Sequence, residues 1–505
     1  MVWVLYVGPD RLFKRLEAAG SRHSDAQWAL PAQAVTKIEE VAAKLAPQSS
    51  SFLHRRLFSE RDFDLLEEKG DYTEQQRKLA VRRQAAVSEI LKDGKTAGLL
   101  EFARNVPSPE KVGEALGRLD QETPDSELLP TLLDSDEKAI ASFIRGFIWG
   151  RYWTKGMSWA DAVVTDTWSL HHKTIFFSSL PFSSEVWRRA EVVLGNGASA
   201  YWKSARVNPW GLQDDLAEAA EKLLQNGRPR SALACVYSLI QDKKPLAAEL
   251  AVRALMESIA GEETTNALDQ HRTLEVIKFL QDSSAVDPKT LFQIEWAYLP
   301  MLDHEFGGTP KTLEGKLASD PDFFCEIIGL IFRSKKDKDT ARQPTEKEKS
   351  IAQNAYRLLK AWKTIPGSKP DRSVDAGAFS KWLSEVREKT TESGHFDIAM
   401  SQIGQVLPYS PADQGLWINR TIAEALNAKD AGKMRSGFTV ELFNMRGTFT
   451  YTAGAAERKL AEENRAKAEA LEENGYHRFA TAMRDFAKSY ERDADREAQS
   501  TPFDD

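Results

Sequence analysis

Three apolar stripes at helical spacing in residues 212–259 constrain the fold more than any other part of the chain. Leu216, Ala219, Ala220, Leu223 and Leu224 recur on one face of a first helix. Asn226-Gly227 stops that run and Arg228-Pro229 starts the next, since Gly suits a helix exit and Pro a first turn. Ala232, Leu233, Val236, Leu239 and Ile240 make the second stripe, and Leu246, Leu250, Ala251, Leu255 and Ile259 the third. Each stripe is wide enough for one side of a helix only. Such helices bury their stripes against antiparallel neighbours joined by tight Gly-containing turns.

The remainder of the chain repeats this pattern. The expected fold class is all-α: a helical-repeat solenoid of the TPR or HEAT kind, followed by a small C-terminal helical subdomain. At 505 residues the chain is too long for one compact core. We expect N-terminal helical repeats over residues 1–135, an aromatic-rich central repeat region over 136–365, and the C-terminal subdomain over 374–505. Residues 366–373, where Pro, Gly, Ser, Lys and Asp crowd together, are the expected linker. In the subdomain, Phe438, Val440, Leu442 and Phe443, with the Thr/Phe alternation of 448–452, are compatible with a short β-hairpin turning at Asn444-Met-Arg-Gly447.

At the N-terminus, the apolar run 2–7 could be a short strand, ending at Gly8-Pro9; it lacks the basic leader and cleavage site of a signal peptide. Leu16-xxx-Gly20 followed by a helix near Ala26 echoes Leu223-xxx-Gly227 followed by Ala232, a weak internal repeat. Helix starts are readable further on. Asp287-Pro288 and Asp320-Pro321 read as caps, Thr345-Glu-Lys-Glu348 as a capping box, and Ser158-Trp-Ala-Asp161 as a variant of one.

Residues 139–210 are the aromatic centre of the chain, with Phe143, Phe147, Trp159, Trp168 and Trp187 among them. Trp and Tyr are enriched where proteins grip partners, which makes Trp149, Tyr152, Trp153, Trp202 and Trp210 the candidate contacts. Plain core packing accounts for the same density, since aromatics bury large areas.

The charge is −7, which argues against a large nucleic-acid footprint, although Arg82-Arg83, 228–230 and Lys335-Lys336 are local basic clusters. Nucleic-acid binding is therefore a second reading, and its affinity would fall steeply with salt. No cofactor or metal is expected. His171-His172 are adjacent, so on a helix they point about 100° apart and cannot chelate as an i, i+4 pair does. Asp303-His304-Glu305 has no second cluster at metal spacing, and Gly195-Asn-Gly197 and Gly307-Gly308 lack the Lys-Ser/Thr of a phosphate loop. Cys235 and Cys325 sit in apolar runs without a neighbouring base, and two cysteines cannot make a disulfide framework. The cytoplasm is the natural compartment, and no stretch approaches the roughly 20 apolar residues of a membrane span. A third reading is an enzyme whose site is assembled from distant residues.

Several phrases resemble the helical C-terminal regions of large bacterial multidomain proteins of STAND-like or antiphage-defence type. They include 219–233, 293–300, 320–324, 353–359, Ser401-Gln-Ile-Gly404 and Phe443-Asn-Met-Arg-Gly447, spread over most of 212–491. The resemblance implies a sensor or scaffold array that grips a protein, either an effector or NTPase subunit or a phage protein. It carries over no catalytic residue, because no Walker motif or effector signature is present. The first expectation is thus a non-catalytic protein-interaction scaffold or sensor.

Overall fold

The computed structural model describes residues 49–62, 71–119, 125–164, 166–210, 215–261, 263, 268–302, 307–336, 343–447 and 451–499, with a few positions between 33 and 40. The structure is all-helical: among these residues no β-strand forms, only two isolated bridges. The N-terminal strand candidate, the Leu16/Gly20 repeat and the 303–305 triplet lie outside them. No described helix is long and apolar enough to cross a membrane. The chain divides into two compact units, one ending at Asp215 and the other beginning at Leu216.

The first unit contains α1 (Ser50–His54), α2 (Tyr72–Arg104), α3 (Pro109–Gly117), α4 (Asp125–Leu128), α5 (Lys138–Val163), α6 (Leu170–Ser179), α7 (Ser184–Leu194) and α8 (Ala198–Ser204). Its organising contact is the crossing of α3 and α5. Each helix places two glycines four residues apart at the contact, so the backbones touch. A Cβ on Gly113 would lie 1.9 Å from the Phe143 carbonyl oxygen, and one on Gly146 would lie 2.0 Å from that of Glu110. Gly117 and Gly150 repeat the arrangement one turn along, at 2.3 and 2.4 Å. No side chain fits between these helices.

A buried arginine closes the same crossing. Arg151 is 1% exposed; its guanidinium donates to the carbonyls of Gly117 and Leu119, at 3.2 and 2.6 Å, and to the Asp125 carboxylate. It thus satisfies carbonyls that the end of α3 leaves open. Asp125 also accepts from the Trp159 indole at 2.8 Å. Helix α5 is broken at Gly156, whose φ of 69° is left-handed, and Ser158 follows inside the helix, donating to the Lys155 carbonyl. The expected Ser158/Asp161 capping box is therefore absent, and Asp161 instead pairs with Arg189.

The second unit opens with the sequence feature that dominates the chain. Helices α9 (Leu216–Gln225), α10 (Pro229–Gln241) and α11 (Ala248–Ala260) form over the three stripes, except that Leu246 precedes α11 and Ile259 is exposed, and α9 packs along α10, α10 along α11. Gly227, at φ 71°, makes the turn between the first two: its N–H donates to Leu224, and the Arg228 N–H reaches back to Leu223, the Schellman closure of a helix end. Then follow α12 (Asp269–Gln281), α13 (Pro288–Tyr298), α14 (Lys311–Ser319), α15 (Pro321–Ile331) and α16 (Glu346–Ala361). The caps at Asp287 and Asp320 are made, and Thr345 and Glu348 form a full capping box.

The last helices are α17 (Ala376–Ser393), α18 (Phe396–Val406), α19 (Arg420–Asn427), α20 (Gly432–Asn444), α21 (Ala455–Glu473) and α22 (His477–Gln499). One buried cluster runs from Leu299 to Met483, joining Phe324, Trp362 and Trp382 with Phe438 and Phe479. Residues 366–373 lie within this span as a tight loop closed by backbone bonds from Lys369 to Ser373 and from Asp375 to Gly367, with Ile365 and Phe379 buried on either side.

The strand expected over 438–443 is instead part of α20. Met434 and Phe438, one turn apart, are both fully buried, and Gly437 sits where α20 crosses α18, 2.0 Å from the Ser401 carbonyl when given a Cβ. Gly404 answers it across the contact, at 2.2 Å from Met434. This backbone-to-backbone packing overrides the β-leaning local sequence.

Candidate functional site

Helix α5 turns its glycines and phenylalanines inward and leaves a different set of residues facing out. Arg145, Trp149, Tyr152 and Trp153 stand at i, i+4, i+7 and i+8, the spacing of a single helical face. Trp153 is 59% exposed, and Trp149, Tyr152 and Arg145 are half-buried. The three rings support one another. Trp149 and Trp153 meet edge to face with centroids 5.8 Å apart and planes at 64°, and Tyr152 and Trp153 meet at 6.3 Å and 83°. The Tyr152 hydroxyl donates to Glu185 of α7 at 3.1 Å, which pins the ring. Burial first, and the Glu185 carboxylate second, push the Tyr152 phenol above its ordinary range.

Arg145 closes the polar end of this face. No carboxylate among the described residues lies within ion-pair distance of it. Partial burial, and then the charge of Arg206, depress its guanidinium below the usual arginine range, and Glu110 offsets them only in part. Arg206 belongs to the extended segment that follows α8 and leads to Trp210.

The five aromatic candidates therefore separate. Trp149, Tyr152 and Trp153 form one face. Trp202 is 2% exposed: it packs against Trp187, Phe182 and Tyr201, and its indole donates to Glu191 at 3.0 Å. A surface contact at Trp202 is corrected to a core role, because its hydrogen bond and ring contacts are internal. Trp210 is 62% exposed, and only its backbone N–H is held, by Asn208. Arg145 escaped the sequence reading, although its spacing to the three aromatics was a readable signal.

The basic clusters are largely engaged within the fold. Arg83 pairs with Asp62 and bonds the Leu57 carbonyl. Arg228 and the backbone of Arg230 and Ser231 converge on Glu263. Lys335 meets Asp397, and Lys336 the Glu392 carbonyl.

Among the described residues no group of three His, Cys, Asp or Glu side chains comes together as metal ligands would. His172 bonds Asp134 at 3.0 Å, while the His171 ring lies 6.3 Å from it. Burial pushes the Cys235 thiol up to about 12 and the Cys325 thiol up to about 11, so both are protonated near neutrality. The buried carboxylate of Glu295 accepts from Gln281 and from the Thr312 and Leu313 N–H groups at the start of α14, which makes it a helix cap supplied from another helix. No protein-family model, curated protein or solved structure matches the chain.

Proposed function

We propose that this chain is a non-catalytic protein-interaction scaffold or sensor, and that the outward face of α5 holds its protein partner. The observation that carries the reading is the Trp149, Tyr152 and Trp153 face. Partly exposed, mutually braced aromatics beside an arginine are the residue types that dominate interface energetics. We read the antiparallel helices from Leu216 onward as repeat units of a TPR- or HEAT-like array that presents such surfaces, supported by the successive packing of α9 on α10 and α10 on α11. The bacterial antiphage-defence setting rests on the sequence resemblance alone, and with it the partner's class as an effector or NTPase subunit or a phage protein.

The test is affinity capture from phage-infected and uninfected bacterial extracts, with and without nuclease, using the wild-type chain and Trp153→Ala side by side. One protein recovered at near-stoichiometric yield by the wild type and lost with Trp153→Ala is the expected result. Equal recovery by both chains, nuclease-sensitive recovery, or no partner in either extract would refute it.

A further inference from the structure

We infer that the α5 face recognises an acidic protein segment, with carboxylates opposite Arg145 and Arg206 and an apolar side chain against Trp149 and Trp153. The inference rests on the partner-binding reading above and adds the chemistry of the partner. Arg145 is set apart from its neighbours. Arg104, Arg118, Arg151 and Arg189 of the same unit each meet a carboxylate within 3.0 Å. Arg145, half-buried beside the aromatic face, instead has no carboxylate within ion-pair distance among the described residues; the charge of Arg206 adds to its own, and Glu110 offsets it only in part.

Two neighbouring cations repel each other, and the repulsion is relieved when an anion arrives. Guanidinium groups match carboxylates in planar, bidentate fashion. Glu185, the carboxylate that reaches this face from α7, accepts from the Tyr152 hydroxyl. The apolar half is supplied by Trp153, more than half of whose surface is open although it leans on two other rings.

The ring geometry disfavours a single-stranded nucleic acid as the occupant. Base stacking needs open, roughly parallel aromatic faces along a positively charged track. Here Trp149 and Tyr152 each meet Trp153 at steep angles, so these ring pairs do not offer the parallel faces of a stack.

The experiment uses the full chain against an array of immobilised dodecapeptides. Each carries a Leu-Phe pair flanked by zero, one, two or three Glu, with a matched array bearing Lys in place of Glu, and dT12 and U12 as nucleic-acid probes. Expected is binding that rises with the number of Glu. It should weaken at least 10-fold in Trp153→Ala for every peptide, and at least 10-fold in Arg145→Gln for the Glu-bearing peptides alone. Thermal melts confirm that both variants are folded. A preference for Lys peptides, tighter binding of dT12 or U12, indifference to Arg145→Gln, or no binding by any peptide at 1 mM would each overturn the inference. Failure of the acidic chemistry is distinguishable from failure of the partner reading. A captured partner that depends on Trp153 yet is retained by the charge-reversed Arg145→Glu leaves partner binding standing and removes the carboxylate.

Discussion

Replacing Gly146 by alanine should destabilise the first unit, against the usual effect of that substitution in a helix. A glycine inside a helix costs about 1 kcal/mol relative to alanine, so the exchange is ordinarily favourable. At Gly146 the new Cβ would lie 2.0 Å from the Glu110 carbonyl oxygen. An ordinary carbon-to-oxygen contact is about 3.3 Å, so α3 and α5 would have to part by about 1.3 Å along that line. The displaced atom is backbone, and no flexible side chain can move aside. Separation of the pair also loosens the contacts at Gly113, Gly117 and Gly150, which share the crossing. Forced overpacking costs about 1–3 kcal/mol, and the backbone clash places Gly146 at the upper end. Set against about 1 kcal/mol of helix propensity, the net loss is about 2 kcal/mol. For a unit of this size each kcal/mol moves the melting temperature by about 2–4 °C, giving a fall of about 4–8 °C.

Gly315 provides the opposite sign. It lies within α14, and nothing stands within 4 Å of its would-be Cβ, so Gly315→Ala should stabilise by about 0.5–1 kcal/mol. Calorimetry of each variant gives the two shifts. Hydrogen exchange of peptides covering 109–117 and 138–163 shows whether the α3/α5 pair loosens in Gly146→Ala. A Gly146→Ala protein that melts no lower than the wild type, with α3 protection unchanged, would refute the close-crossing argument.

The buried arginine, a helix cap, an acid-side ion pair and the two thiols give four further expectations. Arg151→Met should cost about 3 kcal/mol in urea unfolding, the lower end for breaking a buried pair, because Asp125 keeps the Trp159 indole. Asp320→Ala removes the acceptor for the Asp322 and Phe323 N–H groups and should cost about 1 kcal/mol in the same assay. Burial opposes ionisation of Asp62, yet Arg83 and Lys111 outweigh it and hold the carboxyl below its reference value of 3.8. The folded pKa is depressed, so this stabilisation is present above 3.8 and is lost as pH falls through the folded value. Asp62→Asn should therefore flatten the melting-temperature profile on the acid side of pH 4, and an unchanged profile would count against the pairing. The buried Cys235 thiol should resist iodoacetamide at pH 8 in the folded protein, the partly buried, protonated Cys325 thiol should react slowly, and both should react faster in urea; rapid labelling of two thiols in the folded chain would contradict this.

Helices with a one-sided stripe and a recognisable stop were legible from sequence. In α9 to α11 the apolar spacing named the buried residues Leu216, Leu223, Leu233, Leu239 and Leu255, and Asn226-Gly227 marked the turn. The caps at Asp287, Asp320 and Thr345 were legible from sequence, whereas those at Asp71, Ser169, Ser183, Asp375 and Asn419 went unread. The close crossings were written as Gly113-xxx-Gly117 against Gly146-xxx-Gly150. That signal carries no hydrophobic period, and it acquires meaning only when two helices from different places meet. The same blindness to partners turned Phe438 to Phe443 into a strand candidate, since nothing local reports that Gly437 must lie against Ser401. Among the aromatics, residue type alone could not separate Trp202, enclosed by three rings, from Trp153, which leans on two and opens outward.

The case for the α5 face lies in what the helix has left over once it is packed. One side is committed to α3 by glycine, where no side chain intervenes, and the next to Phe143, Ile144, Phe147 and Ile148, all buried. Those contacts, with Arg151 bound to the carbonyls at the end of α3, suffice to fix the position of α5. A helix fixed on those sides needs only polar residues on its remaining stripe. It carries Trp149, Tyr152 and Trp153 there, with Glu185 bracing the tyrosine and Arg145 at the end. Exposed tryptophan keeps apolar surface in water, and this unit already spends Trp187 and Trp202 in its interior. Tyr152 also ties α5 to α7 through Glu185, whereas Trp153 is left mostly open, and it is the residue of α5 that the proposed partner would cover.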